Sequence, residues 1–338
     1  MNTWSPDTLD RKILFELSAD SRQSLHQLGK KIHCSPQRVE YRLKELVKRK
    51  AILNFITFVD YPKLGYSYYV INMGLKNITG PLKEKKLAKL LADPDIDMIM
   101  KGEGNWSVSV GFLAKTPYEA RERLCKINSL FEPHLDYSHI FIHVAAYHFP
   151  RIFFATLQQT PWENEEWVSG GEKEYALDLG EEKLLGLLSE NARMSTVELA
   201  RKSHLSVPTV QSKMKRLVKE GVIRGFTINL NPNFVNHHFV RVYLKRSYSH
   251  AGGKDEMVEF FRQGHQPFRV IMAIGKYDMI CDVRVRDDEE LRNFLRAMRD
   301  RFAKSIVNQD VFRIYDIYRF NYFPSSVKRA ATSFSKAN

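Results

Sequence analysis

The stretch Leu17-Ser18-Ala19-Asp20-Ser21-Arg22-Gln23-Ser24 returns, 171 residues later, as Leu188-Ser189-Glu190-Asn191-Ala192-Arg193-Met194-Ser195. The same offset carries Leu28 to Leu199, Ser35 to Ser206, Val39 to Val210, Leu46-Val47-Lys48 to Leu217-Val218-Lys219, Ile52 to Ile223 and Phe55 to Phe226. Gly104-Asn105-Trp106-Ser107 falls on Gly275-Lys276-Tyr277-Asp278 at that offset, and Phe149-Pro150 meets Phe323-Pro324 at a slightly larger one. Self-similarity at a fixed period decides architecture before any element is assigned. The chain is a tandem duplication.

Each copy has two parts. In the first, Leu9, Ile13, Leu14 and Leu17 are spaced for one helical face, and Ser24 can cap a second short helix burying Leu25, Leu28 and Ile32. Ser35-Pro36 supplies an N-cap and a proline at the first helical position, the preferred start for a third helix burying Val39, Leu43, Leu46 and Val47. Ile52 to Val59 alternates like a strand and is expected to form one arm of a wing. Three helices and a strand pair make a winged helix-turn-helix, repeated with Ser195 and Ser206 as caps and Gly221 at the third helix's end. The second part reads strand, helix, strand, strand, helix, strand, which is ferredoxin-like. The expected fold is α+β, a tandem repeat of winged helix-turn-helix plus a βαββαβ ligand-binding or dimerisation domain. The expected divisions are 7–60 and 177–232 for the winged helices and 64–150 and 235–324 for the ferredoxin-like parts. Residues 151–176 are expected to be a linker, partly packed through Trp162 and Trp167, and 325–338 a disordered tail.

Composition agrees with a folded chain. Of 338 residues 43% are apolar and 27% charged, and the length suits two or three domains. No apolar run approaches the ~18 residues that span a bilayer. The N-terminal residues lack the profile of a secretory signal. Cys34, Cys125 and Cys281 form no C-x-x-C pair, which argues against a disulfide framework or zinc knuckle and for a reducing, cytoplasmic setting. The 52 Lys and Arg against 39 Asp and Glu leave a net charge of +13, which favours an anionic partner such as nucleic acid.

The order of parts resembles the Lrp/AsnC family of transcriptional regulators, in a tandem form. The resemblance rests on Leu9-Asp10-Arg11-Lys12-Ile13-Leu14, the helix from Ser35 to Leu46, Gly221-Val222-Ile223-Arg224-Gly225-Phe226 and Gly275-Lys276-Tyr277-Asp278. It covers about residues 7–150 and 177–324. It implies a DNA-binding regulator with an amino-acid or other small-molecule effector held by the glycine-aromatic hairpins, Gly104, Asn105, Trp106 and Gly275, Tyr277, Asp278. Copy 1 has Ser107 in place of the acid Asp278, so its hairpin departs from the family pattern.

A recognition helix reads base edges with its N-terminal residues while basic groups neutralise phosphates. In copy 1 this turns Ser35 to Tyr41 toward DNA, with Gln37, Arg38 and Tyr41 as the base-edge candidates and Arg42 and Lys44 toward phosphates. In copy 2 Ser206, Thr209, Gln211, Ser212 and Lys213 take the corresponding helix, with Arg216 behind. Residues 21–50 hold nine Lys or Arg against two Glu. The two helices differ, so the partner is expected to be double-stranded DNA with unlike half-sites. The ferredoxin-like parts are expected to pair, within one chain or between chains.

Other constellations carry less. Gly102-x-Gly104 joins two strands and lacks the third glycine of a dinucleotide loop. His139 and His143 share a strand face without a third ligand, so they read as satisfied strand histidines, and no metal or cofactor is expected. Phe141, Tyr147, Phe149, Phe153 and Phe154 read as packing, and Glu163, Glu165 and Glu166 as solvated charge. The rival is an enzyme. Siroheme decarboxylases share this plan, and His134, His139, His143 and His148 with Arg269, Arg284 and Arg313 could hold a tetrapyrrole. That reading leaves the basic recognition helices unexplained.

Overall fold

The computed structural model describes residues 6–149, 166–168, 174–231, 237–247 and 255–320. Most of the expected linker lies outside the described residues, with Phe153, Phe154, Trp162, Glu163 and Glu165, as do the expected tail and Phe323-Pro324.

Copy 1 opens with helix α1 (Thr8–Ala19), α2 (Leu25–Ile32) and α3 (Pro36–Lys48). Each start is written in its cap. Asp7 and Asp10 form a capping box, as do Ser24 and Gln27, and Ser35 accepts from the Arg38 amide ahead of Pro36. Strand β1 (Ile52–Val59) follows, then β2 (Ser67–Leu75), α4 (Gly80–Ala92), β3 (Ile96–Gly104), β4 (Val108–Ala114), α5 (Pro117–Phe131), β5 (Leu135–His148) and the short β6 (Glu166–Val168). Copy 2 repeats the order with α6 (Leu179–Glu190), α7 (Thr196–Ser203), α8 (Val207–Lys219), β7 (Ile223–Leu230), β8 (His238–Arg246), α9 (Glu256–Gln263), β9 (Pro267–Gly275), β10 (Met279–Val285), α10 (Asp288–Phe302) and β11 (Ile306–Phe320).

The expected wing needs one correction. β1 finds no second arm in its own copy, because Asp60 and Tyr61–Leu64 turn the chain straight into β2. Its antiparallel partner is β7, with Phe55 opposite Ile228 and Thr57 opposite Phe226. The strands also exchange cores. Ile228 and Leu230 of copy 2 are buried with Ile13, Leu14, Leu28 and Val39 of copy 1. A reciprocal clasp reinforces the exchange. Arg22 Nη1 donates to the carbonyls of Ala192 and Met194, and Arg193 Nη1 to those of Ser21 and Gln23. Each guanidinium also lies over the other copy's aromatic ring, Arg22 at 5.4 Å from Phe226 and Arg193 at 5.6 Å from Phe55.

The ferredoxin-like parts pair within the chain. Each half has the order expected of a βαββαβ unit, β5-β2-β4-β3 and β11-β8-β10-β9. The second strand of each half joins the fourth of the other, β3 to β11 and β9 to β5. Eight antiparallel strands thus close into a barrel, and closure removes the open edges that a single half would expose. Outward residues such as Ile71, Val110 and Phe112 bury against Leu87, Ile127 and Phe131 of α4 and α5, and copy 2 does likewise with Phe261, Phe294 and Met298. Inward residues, among them Tyr68, Trp106, Phe141, Tyr243 and Tyr277, share one core.

Candidate nucleic-acid interface

On α3, Gln37, Arg38, Tyr41 and Lys44 are exposed, with Tyr41 at 64%. Lys44 reaches back along the helix to Glu40 at 2.7 Å, an exposed pair of little energetic weight. Ser35 and Ser206 serve as N-caps, and Ser206 Oγ also lies 2.7 Å from Thr209 Oγ1. Gln211 and Ser212 of α8 are exposed and Thr209 is half-buried.

Three expected phosphate or base contacts are instead engaged inside each helical unit. Arg42 pairs with Asp7 at 2.8 Å and Asp10 at 3.4 Å. Lys213, its counterpart at the 171 offset, pairs with Asp178 at 2.6 Å, and Arg216 pairs with Asp178 and Glu181. These contacts tie the third helix of each unit to the first. Burial works against the charge on Asp178, yet Lys213, the Glu181 amide and Arg216 outweigh it and hold the carboxyl at about 2. The acids are legible as a repeat, since Asp7 and Asp10 become Asp178 and Glu181 at the same offset, but the sequence does not name the basic groups they hold. Arg38 and Lys44 remain the outward basic groups of the expected copy 1 set, and Arg216 keeps a half-exposed side chain.

The hairpins sit at the barrel's seams. Trp106 and Tyr277 are buried, their ring centroids 6.2 Å apart, with Tyr243 5.1 Å from Trp106. Tyr277 donates to Asp310, and burial together with that carboxylate pushes its hydroxyl above the ordinary phenol range. Asp278 accepts from Lys245 Nζ and the Arg246 amide, each at 2.9 Å, and the Asn105 carbonyl accepts from Tyr137. Gly104 and Gly275 have φ of +141° and +152°, and a Cβ there would press on the carbonyl of Val311 or Ile140 of the opposing copy. The rings of these expected effector residues fill the barrel's interior.

A second cluster lies deeper. Asp282 accepts from Arg241 at 2.7 and 3.1 Å and from Arg269 Nε at 2.6 Å, all three buried. Arg269, Arg284 and His148 line a cavity of about 30 Å³ together with Phe58, Phe239 and Asn229. Of the groups considered for a tetrapyrrole, these three converge, whereas Arg313 pairs with Asp288 and His139 packs 5.7 Å from Trp106. Arg241 on β8 and Asp282 on β10 are not legible as buried in the sequence, because a charged residue within an apolar strand suggests a solvated face. His143 faces the same interior, and burial followed by the Arg241 and Arg269 charges lowers its imidazole to about 3. The imidazole is therefore neutral in the folded chain and takes a proton on unfolding at any pH between about 3 and its ordinary 6.5. The stability it contributes is complete above 6.5 and falls as pH drops toward 3. Urea titrations across that window should give a shallower pH slope for His143→Gln than for the wild type; equal slopes would contradict this burial. Among the described residues no group of three or more His, Cys, Asp or Glu is placed to hold a metal. No helix among them is long and apolar enough to cross a membrane.

Residues 7–47 match the AsnC-type helix-turn-helix domain, and residues 181–224 match a winged helix-turn-helix DNA-binding domain. The chain is 31% identical over 119 residues to the HTH-type transcriptional regulator Ptr1 of Methanocaldococcus jannaschii, covering 35% of this chain and 79% of that protein. The chain belongs to the Lrp/AsnC family of transcriptional regulators. It is also 30% identical over 139 residues to the proline dehydrogenase transcriptional activator of Rhizobium radiobacter, covering 40% of this chain and 87% of that one. Each relative is matched over most of its own length by under half of this Lrp/AsnC chain, as a duplicated unit requires. The crystal structure of the siroheme decarboxylase NirDL covers 98% of this chain and 99% of its own, with a TM-score of 0.58 at 11% identity. That likeness shows a shared fold. The chain is a DNA-binding transcriptional regulator built from two helix-turn-helix units.

Proposed function

We propose that the chain is a pre-assembled pair of unlike readers that binds an asymmetric site on double-stranded DNA in the cytoplasm. The observation that carries this is the exchange of β1 and β7 with the Arg22 and Arg193 clasp, which holds α3 and α8 in one body. Residues 7–60 and 177–232 are the DNA-binding units, and 64–150 and 235–324 the two halves of the sensor barrel. In α3, Gln37, Arg38 and Tyr41 address bases and Lys44 a phosphate; in α8, Gln211 and Ser212 address bases, with Thr209 beside the cap. A small molecule, an amino acid among the candidates, would shift the spacing of the readers.

Arg38→Ala should weaken binding to the cognate duplex by about 1–3 kcal/mol and relax preference at one position, while Lys44→Ala should weaken all sequences alike. Competition between cognate and scrambled duplexes reads both. No change in either property for Arg38→Ala would refute α3 as a reader.

An enzymatic role is the weaker reading. The exposed basic recognition helices and the helix-turn-helix matches in both copies favour regulation. Adding siroheme and recording an absorbance spectrum separates the two, since a regulator leaves the pigment's spectrum unchanged.

A further inference from the structure

Duplication gives the barrel its own internal comparison. Across the inner face of copy 1 runs a row of Val70, Gly111 and Met98, joined by strand register. The same row in copy 2, at the 171 offset, is Arg241, Asp282 and Arg269. Leu113 of copy 1 is likewise answered by Arg284. One half of the barrel closes with apolar residues at these places, so the fold itself does not demand charge in the other. Burying ions costs several kcal/mol each before pairing, which makes the asymmetry expensive unless it serves a ligand.

The charged row is also shaped. Asp282 fixes Arg241 and Arg269 from one side. The Arg269 guanidinium lies 5.0 Å over Phe320 and that of Arg284 5.1 Å over Phe239. Arg241 Nη1 is buried and finds no acceptor among the described residues. The cavity that Arg269 and Arg284 line is roofed by Ile56, Phe58, Thr227 and Asn229, which belong to β1 and β7. It therefore lies between the barrel and the ribbon that joins the two readers.

We propose that this cavity is the effector site and takes a small carboxylate with a short apolar tail. The carboxylate sits between Arg269 and Arg284, and the tail lies against Phe58, Phe239 and Phe268. The proposal rests on the regulator reading above for its consequence, though not for the binding itself. At about 30 Å³ the cavity is too narrow for such a tail unless the ribbon lifts from the barrel. Binding then selects the lifted arrangement, and the readers move with the ribbon. The resulting change in DNA affinity should be about 5- to 150-fold.

Titration calorimetry on the full chain with acetate, isobutyrate and isovalerate, and with isovaleramide as the neutral control, tests this. We expect saturable binding that strengthens with the tail and vanishes for the amide. Arg284→Leu, which places the copy 1 residue at the copy 2 position, should weaken isovalerate by roughly 10- to 100-fold while keeping the circular dichroism spectrum. Arg284→Lys, the second variant, should fall between the two, since it keeps the charge and loses the fork. No saturable heat from any of the three acids at about 10 mM, or equal binding by Arg284→Leu, would overturn the site. Displacement of isovalerate by siroheme would overturn the small-ligand assignment. DNA binding is measured on the same ligand-free samples. Its loss with carboxylate binding intact would refute the regulator reading alone, and the converse the effector site alone.

Discussion

Gly102→Ala should cost about 3 kcal/mol or more of folding stability, read by urea denaturation. A Cβ at Gly102 would stand 2.0 Å from the Arg313 carbonyl oxygen and 2.9 Å from its carbon. The obstacle is backbone of the opposing copy, at the seam where β3 meets β11, so no side-chain rotation relieves it. The strands must separate, and a closed barrel cannot open one seam without disturbing the others. Gly80→Ala is the control, because nothing lies within 4 Å of a Cβ at the first residue of α4. It should be neutral or stabilising by about 0.4–1 kcal/mol. A loss under about 1 kcal/mol for Gly102→Ala would mean that the seam is not closed as described.

Removing the counterion of the buried row should be the other large effect. Burial opposes the charge on Asp282, but Arg241 and Arg269 prevail and hold its carboxyl below the ordinary range. Asp282→Ala leaves two guanidiniums inside the barrel without it, a change that costs about 3–5 kcal/mol in comparable buried pairs. That is a large share of the roughly 5–15 kcal/mol by which most proteins are stable. Adding Arg241→Val and Arg269→Met, the residues of copy 1, should recover much of the loss. If the triple variant is less stable than Asp282→Ala alone, the charges stabilise the fold themselves rather than costing it stability.

Much of this was legible in the sequence because it is local or repeated. Ser24, Ser35, Ser195 and Ser206 each start the helix their position announces, and Pro36 and Pro208 sit in the first turns of α3 and α8. The βαββαβ order and the glycine hairpins follow from alternation and from the offset of 171. Three features are not legible, for related reasons. Alternation marks β1 as a strand but does not name its partner, and β7 lies far along the chain. Arg22 and Arg193, which make the clasp, lie within the repeat, yet a surface arginine and one that caps another copy's carbonyls have the same spelling. In β8, Arg241 occupies an alternate position that normally faces water. It faces a core because the barrel buries both sides of its sheet, one against helices and one against its own far wall. The copy 1 counterparts, Val70 and Met98, were the available signal, since a position that is apolar in one copy and charged in the other cannot be solvated in both.

The pairs formed by Arg42, Lys213 and Arg216 also change how the reading surface is drawn. Each helical unit holds these basic groups on its own acids, which leaves the proposed reading surface fewer basic residues than the sequence suggests. Copy 1 keeps Gln37, Arg38 and Tyr41 outward, while copy 2 offers Gln211 and Ser212. Unlike readers in a single body predict an asymmetric site made of two different half-sites.

The most direct measurement is to incubate the purified chain with sheared genomic DNA at about 150 mM salt, where phosphate contact alone holds weakly, and to sequence what is retained. The account predicts discrete peaks that share one asymmetric motif made of two different half-sites. A symmetric palindrome, or uniform retention that vanishes as salt rises, would contradict it.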